Sequence, residues 1–117
     1  MNGAAGTRPL IQTVTEDTFD VRVLQANGPV AVEFMSYGCA HCRILEPFLE
    51  EAAARLESKE QVFRVNIATD ETLAARYAVE GTPTLLMFLD ADEVGRSEGV
   101  KPTIENVMSA MTAPFER

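Results

Sequence analysis

One short apolar run most constrains how this chain can fold. It reads VAVEFM from Val30 to Met35, is bounded by turn residues, and is followed four positions later by a cysteine. Short runs that are apolar at nearly every position are typical of a strand buried on both faces of a central parallel sheet. The run therefore predicts a central strand of an α/β domain, with a cysteine-bearing loop at its end.

The other apolar patterns alternate between strands and helices along the chain. Further strands are predicted at residues 10–14, 61–67, 84–89 and 93–98. Helices are predicted around an apolar stripe of Phe19 and Val23, over 40–57, after a capping Asp70, and over 102–112. The order βαβαβ, followed after the short Asp70 helix by ββα, predicts a three-layer α/β sandwich with parallel and antiparallel strand pairs. We expect one domain over residues 9–113, between a loose small-residue arm (1–8) and a short tail (114–117).

Composition and charge argue against several classes of function. A length of 117 residues suffices for one domain with its own core. Ten Lys and Arg against eighteen Asp and Glu give a net charge of −8, which disfavours a nucleic-acid partner. The chain has no run of about eighteen apolar residues, so we expect no membrane span. Its first residues lack the charged head and apolar block of a secretory signal, so we expect a cytoplasmic protein.

The two cysteines of the chain, Cys39 and Cys42, are separated only by Ala40 and His41. Three roles are open to such a pair, namely metal ligation, a structural cross-link, or a reversible redox switch. A zinc ion or an iron–sulfur cluster needs about four ligands, so one pair and one histidine would suffice only in a dimer. In a cytoplasmic protein, two cysteines this close together more often take part in chemistry than form a structural cross-link.

The position of the pair favours the redox role. Cys39 follows the predicted central strand and precedes a predicted helix, so unpaired N–H groups and the positive helix end face its sulfur. Both favour the thiolate, which is the form that attacks a disulfide. Cys42 lies one turn into the helix, where it is shielded, close enough to bond Cys39, and suited to a resolving role.

Two further side chains are candidates for tuning the pair. His41 would stabilise the thiolate of Cys39 and make the disulfide a stronger oxidant, or it is a solvated histidine without a role. Glu33 is an acid inside an apolar strand, where burial should raise its pKa and allow it to shuttle the proton of Cys42. Alternatively, Glu33 forms a structural pair with Arg64, although Arg64 alternates with apolar neighbours and so could face solvent.

A proline turn stands directly before the strand predicted at 84–89. Its residues are Gly81, Thr82, Pro83 and Thr84. A cis bond before Pro83 would bring the backbone of Thr82 against the cysteine loop, but most X–Pro bonds are trans. The residues of the turn alone therefore leave its conformation open.

Together these residues resemble the thioredoxin family over nearly the whole chain. In family order and spacing stand the strand VAVEF, the C-x-x-C, Pro47, the strand VFRVNI, the segment ARYAVEGTPTLLMF and Gly99. A lone C-x-x-C is weak evidence, but a T-P-T about forty residues later makes the pattern specific. The resemblance implies an α/β thioredoxin fold, a three-layer sandwich with a central mixed β-sheet flanked by helices.

The resemblance also implies a thiol–disulfide oxidoreductase that exchanges electrons with protein disulfides and dithiols and is recycled by a reductase or oxidase. Cys39 would be the nucleophile, Cys42 the resolving cysteine, and Pro83 a cis-proline beside them. Thr82 would offer its backbone to an extended substrate. We expect a monomer with no cofactor other than its redox-active cysteine pair, and no nucleic-acid or membrane partner.

The resemblance assigns Glu33 to the place of the family's usual buried aspartate and Arg64 to that of its frequent lysine partner. This correspondence favours proton transfer by Glu33. The surface around Tyr37, Gly38 and Thr82 is expected to bind the substrate and select partners.

Departures from the family pattern leave the direction of electron flow open. The places of two tryptophans hold Met35 and Gly38, and Ala40-His41 replaces the usual Gly-Pro between the cysteines. A histidine between the cysteines makes the motif more similar to that of disulfide isomerases and of bacterial periplasmic disulfide oxidases. A thioredoxin-like module that binds a partner without turnover also remains an alternative.

Overall fold

A mixed five-stranded sheet organises residues 9–116, which are the residues that the computed structural model describes. Its strands are β1 (Ile11–Thr13), β2 (Val30–Met35), β3 (Gln61–Asn66), β4 (Thr84–Leu89) and β5 (Asp92–Glu98). They lie in the order β1-β3-β2-β4-β5, with β1, β3 and β2 parallel to one another. Strands β4 and β5 pair antiparallel with their neighbours. Strand β2 is therefore central, as its apolar run predicts.

The described segment has three α-helices and two short helical turns. The helices are α1 (Ala40–Arg55), α2 (Glu71–Arg76) and α3 (Ile104–Thr112), and the turns are a π-helical turn (Asp20–Leu24) and a 3-10 turn (Ala113–Phe115). Helices α1 and α3 pack on one face of the sheet, while α2 and the π-helical turn pack on the other. The predicted three-layer α/β sandwich with a central mixed sheet is confirmed.

Alternation along β2 divides the core into two apolar clusters. Ala31 joins the cluster under α1 and α3, whereas Val30, Val32 and Phe34 join the cluster under α2. Successive side chains of a strand point to opposite faces of the sheet. Glu33 therefore shares the face of Ala31 and lies under α1, the helix that begins at the cysteine pair.

Two local predictions agree with the structure only in part. The first helical stripe forms a π-helical turn in place of a regular α-helix, although Phe19 and Val23 are buried as expected. Asp70 is the N-cap of α2, as predicted, but its side chain makes no capping hydrogen bond. Its Oδ1 accepts a hydrogen bond from the Glu16 N–H at 3.0 Å, so the carboxylate instead links α2 to the loop after β1.

The predicted domain boundaries stay predictions. The arm (1–8) lies outside the described residues, and at the other end Phe115 of the 3-10 turn packs against the cluster under α1 and α3. None of the helices within residues 9–116 combines the length and the apolar character that crossing a membrane requires.

The start of α3 provides a test of the fold. Thr103 Oγ1 accepts a hydrogen bond from the Asn106 N–H at 3.1 Å. Thr103→Ala is expected to lower the free energy of unfolding by about 1 kcal/mol, because a first-turn N–H loses its acceptor. Urea denaturation measures the change. Ser109→Ala, on the exposed side of the same helix, should cause no loss, and equal losses in both variants would contradict the capping role.

Candidate active site

The cysteine pair lies where β2 gives way to α1. Cys39 is the N-cap of α1, in extended conformation with φ −83° and ψ 113°. Its disulfide to Cys42 joins two Cα atoms 5.2 Å apart. Cys39 is half-buried, whereas Cys42 is only 3% exposed. The pair thus presents one accessible and one covered cysteine, in the arrangement that the sequence predicts.

A backbone donor at the start of α1 is directed at the sulfur of Cys39. The Cys42 N–H donates a hydrogen bond to Cys39 Sγ at 3.1 Å. This N–H belongs to the first helical turn, where no intrahelical acceptor is available, and the helix dipole places positive potential at the same point. A donor and a positive potential at this point are what the predicted thiolate of Cys39 requires, and that thiolate stays a prediction.

The imidazole of His41 is held by a neighbouring loop. Its Nε2 lies 3.0 Å from the carbonyl oxygen of Val100, between β5 and α3. Since a carbonyl can only accept, Nε2 carries the proton in this contact. The ring is half-buried one position before Cys42. Its influence on the Cys39 thiolate stays a prediction.

The same loop connects the proline turn with the cysteine helix. The Thr82–Pro83 peptide bond is cis, the conformation that the family resemblance implies. The carbonyl of Pro83 accepts a hydrogen bond from the Gly99 N–H at 2.9 Å, and the next residue, Val100, contacts His41. Gly99 has φ +64°, a conformation that favours glycine. Two successive loop residues thus bridge the two sequence motifs.

The predicted substrate surface is exposed beside the cysteine pair. Tyr37 is 64% exposed, Gly38 is exposed and Thr82 is half-buried. The sequence reasoning missed Ile44, another exposed large apolar side chain, which lies two residues after Cys42. Its signal is an apolar residue outside the buried stripe of α1. The substrate contacts of Tyr37, Gly38 and Thr82 stay predictions.

Glu33 is buried without a hydrogen-bonded partner. Its side chain is 0% exposed, and neither carboxyl oxygen has a hydrogen-bond partner among residues 9–116. Among residues 9–116 the cation in contact with it is Arg64, whose Nε lies 3.5 Å from Glu33 Oε1, so the ion pair given as the alternative for Glu33 is present. Burial raises the pKa of Glu33 from 4.5 to about 7, the charge of Arg64 opposes the rise, and that of Glu46 adds to it. Glu33 therefore titrates close to neutral pH.

Arg64 faces α1 and binds chiefly to a residue that the sequence reasoning did not single out. Its side chain is 13% exposed, and its Nη2 donates to both carboxylate oxygens of Glu46, at 2.7 and 2.8 Å. Burial acts to lower the pKa of Arg64, but the hydrogen bond to Glu46 and the nearby acids raise it above its ordinary value. The alternative in which Arg64 faces solvent is wrong. The signal for Glu46 was its position four residues after Cys42, on one side of a helix.

A small cavity lies on the inner side of the cysteine pair. It measures about 200 Å³ and is lined by Met35, Ser36, Tyr37, Cys42, Arg43, Glu46 and Arg64. Its walls are mostly apolar apart from the charged groups of α1 and β3. The covered cysteine therefore borders a space next to the Arg64–Glu46 pair.

The described residues do not assemble a metal site around the pair. Within 9–116 no three His, Cys, Asp or Glu side chains are grouped as metal ligands would be. Cys39 and Cys42 are bonded to each other. The expectation that the protein uses no cofactor other than this pair stays a prediction.

Known proteins match this chain along most of its length. The family model described as Thioredoxin matches residues 10–112. The chain belongs to the thioredoxin family. A thioredoxin of Rickettsia bellii is 31% identical over 91 residues, which are 78% of this chain and 87% of that protein. Thioredoxin C-2 of Corynebacterium nephridii is 34% identical over 92 residues, or 79% and 85% of the two chains. A thioredoxin of Pseudomonas aeruginosa is 35% identical over 82 residues, or 70% and 76%.

Family membership and a cysteine pair at bonding distance agree on one activity. This thioredoxin-family protein is a thiol–disulfide oxidoreductase, and its substrates are in general protein disulfides. The predicted enzyme class is confirmed.

The raised pKa of Glu33 predicts a pH-dependent stability for this thioredoxin-family protein. The folded state holds the proton more tightly than the unfolded state, with pKa values of about 7 and 4.5. The stabilisation from neutral Glu33 is therefore fully present below pH 4.5 and is lost as pH rises through 7. The difference between the two pKa values corresponds to about 3 kcal/mol.

Glu33→Gln cannot ionise, so it should not lose this stabilisation. The free energy of unfolding of the variant minus that of wild type should therefore increase by about 3 kcal/mol as the pH rises from about 4 to about 9. Denaturant unfolding of the oxidised proteins measures it. Glu60→Gln is the matched comparison. Burial raises the pKa of Glu60 from 4.5 to about 8, so the stabilisation from neutral Glu60 is lost over a range that extends to higher pH. Parallel curves for wild type and Glu33→Gln would contradict the raised pKa.

Proposed function

We propose that Cys39 attacks protein disulfides and that Cys42 resolves the resulting mixed disulfide. The hydrogen bond from the Cys42 N–H to Cys39 Sγ is the observation that carries this assignment. It places the accessible sulfur at the positive end of α1, where a thiolate is favoured. Cys42, which is covered, is reached more readily by Cys39 than by a substrate protein.

In the reducing direction the reaction has two exchange steps. The Cys39 thiolate attacks one sulfur of the substrate disulfide, a Cys39–substrate bond forms, and the other substrate sulfur leaves as a thiolate. Cys42 then gives its proton to Glu33 and attacks the sulfur of Cys39. The Cys39–Cys42 bond forms, the second substrate thiolate leaves, and the substrate has gained two electrons from the pair. The reverse steps oxidise a dithiol.

The burial of Glu33 supports its role as the proton acceptor. The carboxyl lies on the sheet face under α1, the helix that carries Cys42. A group with a pKa of about 7 can take up and release a proton at neutral pH. An exposed carboxylate with an ordinary pKa would be a weaker base toward a thiol.

The proposed substrate site lies between the proline turn and the loop before Cys39. An extended substrate segment would use the backbone of Thr82 next to Pro83, while Tyr37 and Gly38 contact its side chains. The exposed phenol of Tyr37 and the absence of a side chain at Gly38 suit an open surface of this kind. We extend the proposal to a cytoplasmic monomer without a further cofactor, which a disulfide reductase or oxidase recycles.

Two single serine variants test the assigned roles. Reduced Cys42→Ser should accumulate a mixed disulfide with insulin through Cys39, because the first exchange proceeds and the second cannot. Cys39→Ser should trap little, since its remaining thiol is covered. Intact mass under non-reducing conditions detects the adduct, and wild type should accelerate insulin reduction by dithiothreitol.

The opposite trapping pattern would exchange the roles of the two cysteines. Failure of wild type to accelerate insulin reduction over dithiothreitol alone would contradict the proposed turnover and would favour a binding module.

His41 is proposed to bias the pair toward its reduced form. A protonated imidazole near the start of α1 stabilises the thiolate and makes the disulfide more oxidising. His41→Gln keeps a donor for the Val100 carbonyl but removes the charge, so the reduction potential should become more negative. A tenfold effect on the equilibrium constant corresponds to about 30 mV.

Equilibration with glutathione buffers measures both potentials. Equal potentials for wild type and His41→Gln would rule out the electrostatic role of His41.

A further inference from the structure

Two acidic residues beside the cysteine helix, Glu33 and Glu46, share the Arg64 cation unequally. The Arg64 guanidinium donates two hydrogen bonds to Glu46, at 2.7 and 2.8 Å, while its Nε stands 3.5 Å from Glu33. That Nε has no hydrogen-bond partner within the described residues. The cation therefore donates hydrogen bonds to the acid that is 30% exposed, whereas its contact with the fully buried acid is a longer ionic one without a hydrogen bond.

This distribution is unexpected from the sheet alone. Glu33 and Arg64 are register partners on the adjacent parallel strands β2 and β3, so their side chains stand next to each other on one face. A buried acid without a hydrogen bond is costly, and a hydrogen bond from Arg64 within their ion pair would relieve that cost. Some other group must compete for the guanidinium.

Glu46 is that competitor. It projects from α1 above the sheet, four residues after Cys42, and lines the same cavity as Cys42 and Arg64. Charge-assisted hydrogen bonds from one guanidinium to a carboxylate are strong and directional. By accepting both bonds, the Glu46 carboxylate draws the guanidinium toward α1.

We propose that Glu46 is a positioning residue, whose carboxylate holds the Arg64 guanidinium toward α1 and thereby prevents a hydrogen-bonded ion pair between Arg64 and Glu33. Its action on the reaction is indirect, because it reaches Glu33 only through Arg64 and through its own charge. The consequence for the proton exchange with Cys42 rests on the proposed function of Glu33.

The electrostatics around Glu33 agree with this arrangement. Arg64 from β3 and Glu46 from α1 are the charged groups that act on it, while β4 places the apolar Leu85 opposite it. Farther away, Glu50 lines a cavity with Arg64 and Glu46, and the charge of the Tyr37 phenol acts on Arg64. Cys42 is a titratable group only when the disulfide is reduced. Removing the Glu46 carboxylate deletes a like charge and frees the guanidinium, so both changes should lower the pKa of Glu33.

The first experiment measures the pKa of Glu33 directly in Glu46→Gln. The oxidised protein is used, because its bonded cysteines do not titrate, and the side-chain carboxyl ¹³C shift is followed by NMR. We expect the pKa to fall from about 7 by about one unit or more. The protonated fraction at pH 7 should then fall from about one half to about one tenth.

Glu51→Gln is the matched control. It removes one carboxylate from the same helix, but that carboxylate pairs with Arg55. The control should leave the pKa of Glu33 unchanged. An equal fall in both variants would overturn the proposal, because the effect would then be a general one of net charge. No fall in Glu46→Gln would overturn it as well.

A double-variant cycle tests whether Glu46 acts through Arg64. Arg64→Met keeps an unbranched side chain of similar packing and should by itself raise the pKa of Glu33, since a nearby cation is lost. In this background, Glu46→Gln can remove only the direct repulsion, so its effect should be clearly smaller than in the wild-type background. Equal effects in the two backgrounds would overturn the positioning role.

A kinetic measurement separates this proposal from the proposed function. The pH dependence of insulin release from the Cys39 mixed disulfide is recorded for wild type and Glu46→Gln. A profile that shifts to lower pH with the pKa of Glu33 supports both proposals. A lowered pKa with an unchanged profile supports the position of Glu46 and contradicts proton transfer by Glu33. An unchanged pKa overturns the role of Glu46 whatever the profile shows.

Discussion

The burial of β2 is the constraint on which the active site depends. All six residues of the strand are buried between β3 and β4, so the place where the chain leaves the sheet is determined. The chain leaves at Met35 and begins α1 after Cys39. The unpaired N–H groups of the first helical turn then fall on whichever side chain occupies the N-cap. In this protein that side chain is a thiol, and the packing of an apolar strand thereby creates a redox centre.

The same burial explains the unusual acid of the site. Glu33 belongs to the strand that cannot be exposed, so its carboxyl cannot reach water. The charges near Glu33 come from neighbouring elements. Arg64 on β3 contacts Glu33, and Glu46 on α1 binds Arg64. This arrangement does not fully compensate the charge of Glu33, and its pKa lies at about 7. A charge that is unfavourable for the fold is thus suited to proton exchange.

The features that the sequence predicted correctly have local causes. The apolar run of β2, the helical spacing of Leu45 and Leu49, and the cysteine at a strand-to-helix junction all follow from backbone periodicity. The missed features involve partners far apart in the chain. Asp70 bonds the Glu16 amide 54 residues away, and Arg64 bonds Glu46 18 residues away. No local pattern chooses among several acids for one donor.

Patterns of neighbouring residues are enough to predict the layered α/β fold and the placement of two cysteines at the start of a helix. The packing of distant elements is needed to learn that Pro83 follows a cis bond, that His41 contacts Val100, and that Arg64 is bound to Glu46. The physical reason lies in the range of the interactions. Periodicity and helix-end polarity act within a few residues, whereas the partner of a buried charge depends on which strands and helices pack against each other.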